Sequence, residues 1–563
     1  MNSIFEPAFD HRQQRVLQVL VLCWIMGTLA FWRWMLQPDT WVSLPYTLFN
    51  ASLLIYVTGL PLWPFLLFLR MRQVNPRLNP PSGLRVAMVV TKSPSEPWSV
   101  VRPTLEAAIE QRPHHATWLA DEQPSPEVKE WCSQQGVEIS SRWQVEGYHQ
   151  PSWPRRRRCK EGNLAYFYDH FGYERYDVVV QLDADHRPAE GYLEEMLRPF
   201  NDPGIGYVAA PSVCDCNADT SWVARGRLYA ESVLHGPQQL GFNNSLAPLC
   251  IGSHYAVRTK ALREIGGLGP ELAEDHSTTL LMNAKGWRGA FAHRAICHGL
   301  GPETFEDAMV QEMQWARSLT ALLLSYTPAL LRKLPWRLRL QFLYAQVFYP
   351  LRGLLSLFGI GLPIVALAIN RPWMQVHYPS FLALSGLQLL LTLLPVLYLK
   401  QQKLLQPPDA PLVSWEQGLF ELSRGPWILT GVIHAFVMRW SSYSLDFKVT
   451  NKGGSASPLP SRFLVPNLAG VFVACGVAVL LGPIAPKAQG YVLLTLINAA
   501  LLTVAILAIT TLSRKTRRRH HLMATTAILL TLSSIWIRQR ELLAPLTTPA
   551  TWQAGISKVL IRS

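Results

Sequence analysis

Tyr176-Asp-Val-Val-Val-Gln-Leu-Asp-Ala-Asp185 opens as a run of β-branched residues and closes on two carboxylates one residue apart, Asp183 and Asp185. The run reads as a buried strand. Paired carboxylates at a strand end suit a hard divalent cation, because Mg²⁺ takes one or two carboxylates together with the phosphate oxygens of a substrate. Asp-x-Asp pairs are also common in turns, so the reading depends on what surrounds this one.

Upstream, residues 85–91, 116–120 and 137–141 read as strands, and 100–111, 127–134 and 163–171 as helices, with Gly136 beyond the end of the second helix. The alternation predicts a mostly parallel sheet with helices on both faces. Ligands of such sheets bind beyond the carboxyl ends of strands, and Asp121, Asp183 and Asp185 all fall there.

The 563-residue chain is made of two materials: a mixed, charged middle over about 80–325, and flanks with long apolar runs. A membrane span needs about 20 apolar residues. Spans are predicted at 15–36, 45–69, 346–369, 379–399, 464–484 and 490–512, with a seventh, short one at 521–538 that decides the side of the C-terminus. The first is too long and too aromatic for a cleaved signal, and no small-residue cleavage site follows it. Residues 305–345 and 427–440 are amphipathic and read as helices lying on the membrane surface.

The formal net charge is +14. Nucleic-acid binding would need basic residues clustered with aromatics on one soluble face. Here they flank spans instead, at Arg70, Arg72 and Arg77 and again at Lys515, Arg517, Arg518 and Arg519. That is an orientation signal and places the middle of the chain in the cytoplasm. The eight cysteines include no Cys-x-x-Cys, and Cys214-Asp-Cys216 is too short for half of a usual zinc site. All eight read as reduced.

Four features fall in order: Asp121, Asp183-x-Asp185, Glu274-Asp275 and Gln311-Glu-Met-Gln-Trp315. Around them stand Lys160-Glu-Gly-Asn163, Cys250-Ile-Gly-Ser253, Gly299-Leu-Gly-Pro-Glu-Thr304 and Phe447-Lys-Val-Thr-Asn-Lys-Gly453. The ordered set, over about 85–455, resembles the D, DxD, TED and QxxRW motifs of membrane-embedded, processive family 2 glycosyltransferases of the cellulose synthase type. The resemblance implies a GT-A-like α/β cytosolic domain inserted in an α-helical transmembrane protein with interfacial helices. The division it suggests is an N-terminal hairpin at 1–80, the transferase domain at 81–325, interfacial helices and spans at 326–400, a cytoplasmic helix and gating loop at 401–460, and C-terminal spans at 461–563.

Forming a glycosidic bond from a nucleotide sugar displaces a diphosphate whose growing charge must be offset. By resemblance, Asp183 and Asp185 hold Mg²⁺ or Mn²⁺, with Asp185 the more direct ligand, and Asp121 and Lys160 line the nucleotide pocket. Alone, Asp121 reads equally as a turn residue before Pro124. Asp275 is the candidate base for the attacking hydroxyl. Its position before a helical run also suits an N-cap, and both roles are compatible. Gln311, Gln314 and Trp315 stand at the acceptor, Trp315 as a platform for a sugar ring. Phe447, Val449, Thr450 and Lys452 match a gating loop that closes over bound nucleotide. Arg155–Arg158 reads as a solvated run or as a phosphate or membrane attractor. Arg352, inside a span, should face protein or a water-filled path.

Three departures stand out. The threonine of TED is Ala273. The arginine of QxxRW is the neutral Gln314, for which Arg317, three positions on, is a candidate substitute. The first strand ends in Thr91-Lys-Ser-Pro-Ser-Glu96, so the uracil end of the pocket differs. No PilZ module for cyclic di-GMP is visible. The expectation is an inverting hexosyltransferase in a bacterial cytoplasmic membrane. It polymerises a β-glycan, with UDP-glucose the favoured donor, and translocates the growing polysaccharide, in contact with membrane lipid and with accessory or periplasmic export subunits as partners. The rivals are a non-processive glycolipid transferase and a catalytically weak export scaffold.

Overall fold

Seven strands build the central sheet: β1 (Val86–Lys92), β2 (Ala116–Asp121), β3 (Glu138–Ser140), β4 (Val178–Asp183), β5 (Ile205–Ala209), β6 (His254–Arg258) and β7 (Arg288–Phe291). Their spatial order is β7-β5-β6-β4-β1-β2-β3. The computed structural model describes residues 4–156, 160–441, 459–481, 484, 488–513, 515–540 and 542.

The opening stretch is the middle of this sheet. Val178, Val180 and Leu182 of β4 pack into one core with Val101 and Leu105 of helix Trp98–Ile109. Val179 packs into the opposite core with Phe167 and Tyr168. Successive side chains alternate between faces, and both faces are covered, which is why the strand carries no polar alternation. The sheet is mostly parallel, as the alternation of strands and helices predicts, with one exception: β6 runs antiparallel to both β4 and β5, and the other pairs are parallel. After β4 the chain crosses to β5, and β6 fills the gap between them from the opposite direction.

Six described helices are long and apolar enough to cross a membrane: His11–Met35, Leu44–Phe68, Trp336–Ala368, Pro379–Gln401, Gln489–Leu512 and Arg518–Ile537. Val465–Leu480, the fifth predicted span, is a shorter apolar helix of 16 residues. In His11–Met35, Leu17, Val21 and Trp24 are buried while Leu22, Met26 and Leu29 stay exposed, so the helix is apolar all round, as a lipid-facing span is.

The stretch 305–345 divides: 305–322 packs against protein, whereas much of 325–340 is exposed. Helix Phe305–Ser325 buries Phe305, Met309, Glu312 and Leu322, and residues 336–345 are the start of the long helix Trp336–Ala368. One charge of this stretch is paired inside: Glu312 lies 3.3 Å from Arg424, Arg424 pairs with Glu421 at 2.7 Å, and Glu421 pairs with Arg352. Arg352 therefore answers to protein carboxylates. Helix Gly425–Trp440 packs on Phe305–Ser325 at Gly431, where a Cβ would lie 2.2 Å from the Met313 carbonyl oxygen. Its other side leaves Ile433, Val437 and Trp440 exposed, an apolar face of the kind an interfacial helix presents. The seven described cysteines are free.

Candidate active site

The carboxyl ends of the parallel strands and the N-terminus of helix Glu274–Ala284 surround a cavity of about 410 Å³. Lys160, Asp183, Asp185, Asp275, Gln311, Gln314 and Trp315 all line it. Residues 155 positions apart in the sequence (Lys160 and Trp315) thus converge at one edge of the sheet.

Asp183 is the last residue of β4, and its N–H donates to the Ser253 carbonyl at 2.8 Å. Asp185 is buried, with Oδ2 accepting the Leu300 N–H at 3.2 Å. His186 Nδ1 lies 3.3 Å from the other Asp185 oxygen. Asp183, Asp185 and His186 each offer a ligand atom, all within 4.8 Å of one another. Two carboxylates and an imidazole fit a divalent cation that completes its shell with phosphate oxygens. Burial pulls the His186 pKa down, but the Asp185 carboxylate raises it more, to about 10, so the imidazole would ligate only where a cation's charge at Asp185 displaces its proton.

Lys160 opens helix Lys160–Phe167, so it sits three residues before the start expected for that helix at 163. Its ammonium lies 3.1 Å from Asp183 and 3.2 Å from Glu274, and it donates to the Gly252 carbonyl. Burial lowers its pKa, and the Asp183, Glu274 and Asp275 carboxylates raise it further than burial lowers it, so it stays protonated. Asp169 pairs with Arg155 and Glu161 with Arg156, which gives the described half of the arginine run structural partners.

Asp275 is not the N-cap of its helix; Ala273 is, and Glu274 and Asp275 take the first two helical positions. Asp275 Oδ1 accepts the His276 N–H at 2.7 Å. Helix N-termini favour negative charge. Burial nonetheless raises the pKa of Asp275, and of Glu274 beside it, with Lys160 opposing. Gly252 leaves room for the carboxylate: a Cβ there would lie 3.2 Å from Asp275 Oδ2.

Asp121 ends β2 and is fully buried beneath Lys92, whose ammonium lies 3.0 Å from it. It is the wall behind the cavity, and Lys92 takes its place in the lining. Burial raises the Asp121 pKa; the Gln123 N–H and Lys92 lower it. Asp121 also accepts that N–H at 3.0 Å, so its turn role is real as well.

Gln311, Gln314 and Trp315 share one side of helix Phe305–Ser325. Arg317 does not reach the cavity lining; it is buried in the field of Glu271 and Arg156, on another face of the helix, which removes it as a substitute for the missing arginine. Phe447, Val449, Thr450 and Lys452 lie outside the described residues.

Among the lining residues to which the sequence reading assigns no role are His186, Glu274, Lys92 and Arg227. His186 directly follows Asp185, and Glu274 directly precedes Asp275, so adjacency was the signal for both. Lys92 sits in the departing Thr91–Glu96 segment. Arg227 comes from helix Trp222–Glu231, 84 positions before its partner Gln311, and no local pattern marks it.

Residues 178–399 match the family described as glycosyl transferase family group 2. The chain is 27% identical over 268 residues to a UDP-forming cellulose synthase catalytic subunit from Xanthomonas axonopodis pv. citri, covering 45% of this chain and 34% of that protein. It is 30% identical over 171 residues to cellulose synthase 1 catalytic subunit of Komagataeibacter xylinus, covering 30% and 23%. It thus spans about a third or less of the length of these relatives. Among solved structures, a mannosyltransferase from Pyrobaculum calidifontis, in complex with GDP-Man and Mn²⁺, aligns with a TM-score of 0.44 and 15% identity over 69% of this chain and 97% of that one. The family match begins within β4, at the stretch that opens onto Asp183 and Asp185. Over residues 178–399 the chain is thus similar to family 2 glycosyltransferases, and the curated relatives it resembles are cellulose synthase catalytic subunits.

Proposed function

We propose that the protein is an inverting, divalent-cation-dependent hexosyltransferase that builds a β-glycan from a nucleotide sugar, with UDP-glucose as the favoured donor. The observation that carries this is the convergence of Asp183, Asp185, Asp275 and Trp315 on one cavity beside helices of spanning length. Asp183, Asp185 and His186 would hold Mg²⁺ or Mn²⁺, which supplies charge for the donor diphosphate. The acceptor hydroxyl attacks the anomeric carbon, its proton passes to Asp275, and the bond from that carbon to the phosphate oxygen breaks. Nucleoside diphosphate leaves with the electron pair, and the configuration inverts. Asp275 is held by backbone N–H groups at a helix start, so its carboxylate is oriented before substrate arrives. Trp315 offers its face to the acceptor sugar.

In this reading residues 81–325 are cytosolic, the enzyme sits in the cytoplasmic membrane, and the product leaves between its own spans. The loop holding Phe447, Val449, Thr450 and Lys452 closes over the donor. The test uses the full chain in lipid nanodiscs with Mg²⁺ and UDP-glucose, UDP-N-acetylglucosamine or UDP-galactose supplied separately. UDP release and glycanase-sensitive polymer are followed together. Polymer from UDP-glucose is the expected result. A single-sugar glycolipid as sole product would remove processivity, and no turnover of any donor would favour a non-catalytic export scaffold.

A further inference from the structure

Three cationic side chains of lysine or arginine line the cavity among the described residues: Lys92, Lys160 and Arg227. Two are committed. Lys92 is held by Asp121 at 3.0 Å, and Lys160 by Asp183 and Glu274 at 3.1 and 3.2 Å. Arg227 is arranged differently. Its Nε donates to Glu231 at 3.0 Å and its Nη1 to Gln311 at 3.0 Å, while Nη2 has no hydrogen-bond partner among the described residues. The guanidinium lies 4.6 Å from the centre of the Trp315 ring. Glu231 is itself fixed from behind by His235, at 3.5 Å.

This is a guanidinium clamped on two of its three nitrogens, with the third left for a ligand in a cavity that holds a candidate cation site. A planar fork with a spare N–H₂ edge is suited to a phosphate oxygen. Gln311 and Trp315 come from the helix that carries the acceptor platform, so the clamp ties the anion site to that platform. The half-buried Glu231 does not cancel the role. It orients the guanidinium through Nε and leaves the Nη2 edge free.

Resting on the transferase reading above, we propose that Arg227 binds the terminal phosphate of the donor's nucleoside diphosphate and offsets the charge that develops as the sugar leaves. The neutral Gln314 lines the same cavity and cannot supply that charge.

The test measures binding, so it does not depend on turnover. The full chain in nanodiscs with Mg²⁺ is titrated calorimetrically with uridine, guanosine, adenosine and cytidine diphosphates. The tightest is compared with its monophosphate. Arg227→Met is expected to weaken the diphosphate at least tenfold and the monophosphate less than twofold. The double variant Arg227→Met/Glu231→Gln removes the carboxylate left without its partner and should show the same split. Adding Gln314→Arg to that double variant should recover most of the diphosphate affinity. Equal weakening of both nucleotides in the double variant, or no weakening of either, overturns the assignment alone. Failure of the unaltered protein to bind any of the four diphosphates overturns the transferase reading and this assignment with it.

Discussion

Asp275 stands at the second position of its helix, half-buried, between the Gly252 backbone and Lys160. Asp275→Asn keeps the shape and removes the proposed proton acceptor. Transfer should fall by about 10²–10⁴, the usual worth of a positioned base, with nucleotide affinity within about threefold of the parent. UDP release and calorimetry together check this, and near-parental turnover would remove Asp275 as the base. Burial raises its pKa above the ordinary aspartate range, and the base works only when deprotonated. Activity is therefore present above the folded pKa and is lost as the pH falls through it, at a higher pH than a free aspartate would give. Glu274 is shifted the same way by the same cause, so the acid limb of a pH–rate profile belongs to the pair. At this scale the sequence is legible where chemistry and adjacency coincide. Asp183, Asp185 and Asp275 could be read because each stands at a strand end or a helix start. Lys92 and Arg227 could not, because the first answers to Asp121 on the neighbouring strand and the second to Gln311 on a distant helix. Both partnerships exist only after folding.

At the scale of elements, Gly431 is the contact point between helices Gly425–Trp440 and Phe305–Ser325. Alanine in place of glycine inside a helix normally stabilises by about 1 kcal/mol. Here the added methyl meets a backbone oxygen at 2.2 Å, which no rotamer change relieves. Overpacking of this kind costs about 1–3 kcal/mol, so the clash should win. Gly431→Ala is expected to lower the thermal midpoint in detergent and to reduce transfer, since the displaced helix carries Trp315. A raised midpoint would mean that the helices separate without penalty. The same pair shows what periodicity hides. An apolar run such as β4 declares burial on both faces. An amphipathic run declares only that one face is polar, and Glu312 and Arg424 turn that polarity inward. Strand direction is likewise absent from a period of two, so the antiparallel β6 was invisible in a pattern that suggested a mostly parallel sheet.

For the whole molecule, six described helices of spanning length frame the domain. The order of spans and domain was readable because apolar length and mixed composition differ so sharply along the chain. The boundary at 325 was harder. Composition changes there, but packing does not: helix Phe305–Ser325 is covered on one side by the transferase domain and on the other by Gly425–Trp440. Residues 81–325 produced alone should therefore be associated or unfolded in detergent-free buffer, and should become monomeric only when the downstream helices through 440 are included and detergent covers the two spans among them. Size-exclusion chromatography with light scattering decides this, and a monodisperse, nucleotide-binding 81–325 fragment would show the boundary to be a true one.

The chain of charges from Arg352 through Glu421 and Arg424 to Glu312 gives that boundary a practical meaning. It bolts the long helix Trp336–Ala368 to the element that bears Trp315. Chassis and tool are one casting. A transferase domain exchanged between relatives at residue 325 would arrive without its mounting. Chimeras intended to change the sugar should instead carry residues 305–325 and 415–440 together, or leave both in place and alter only the strand ends.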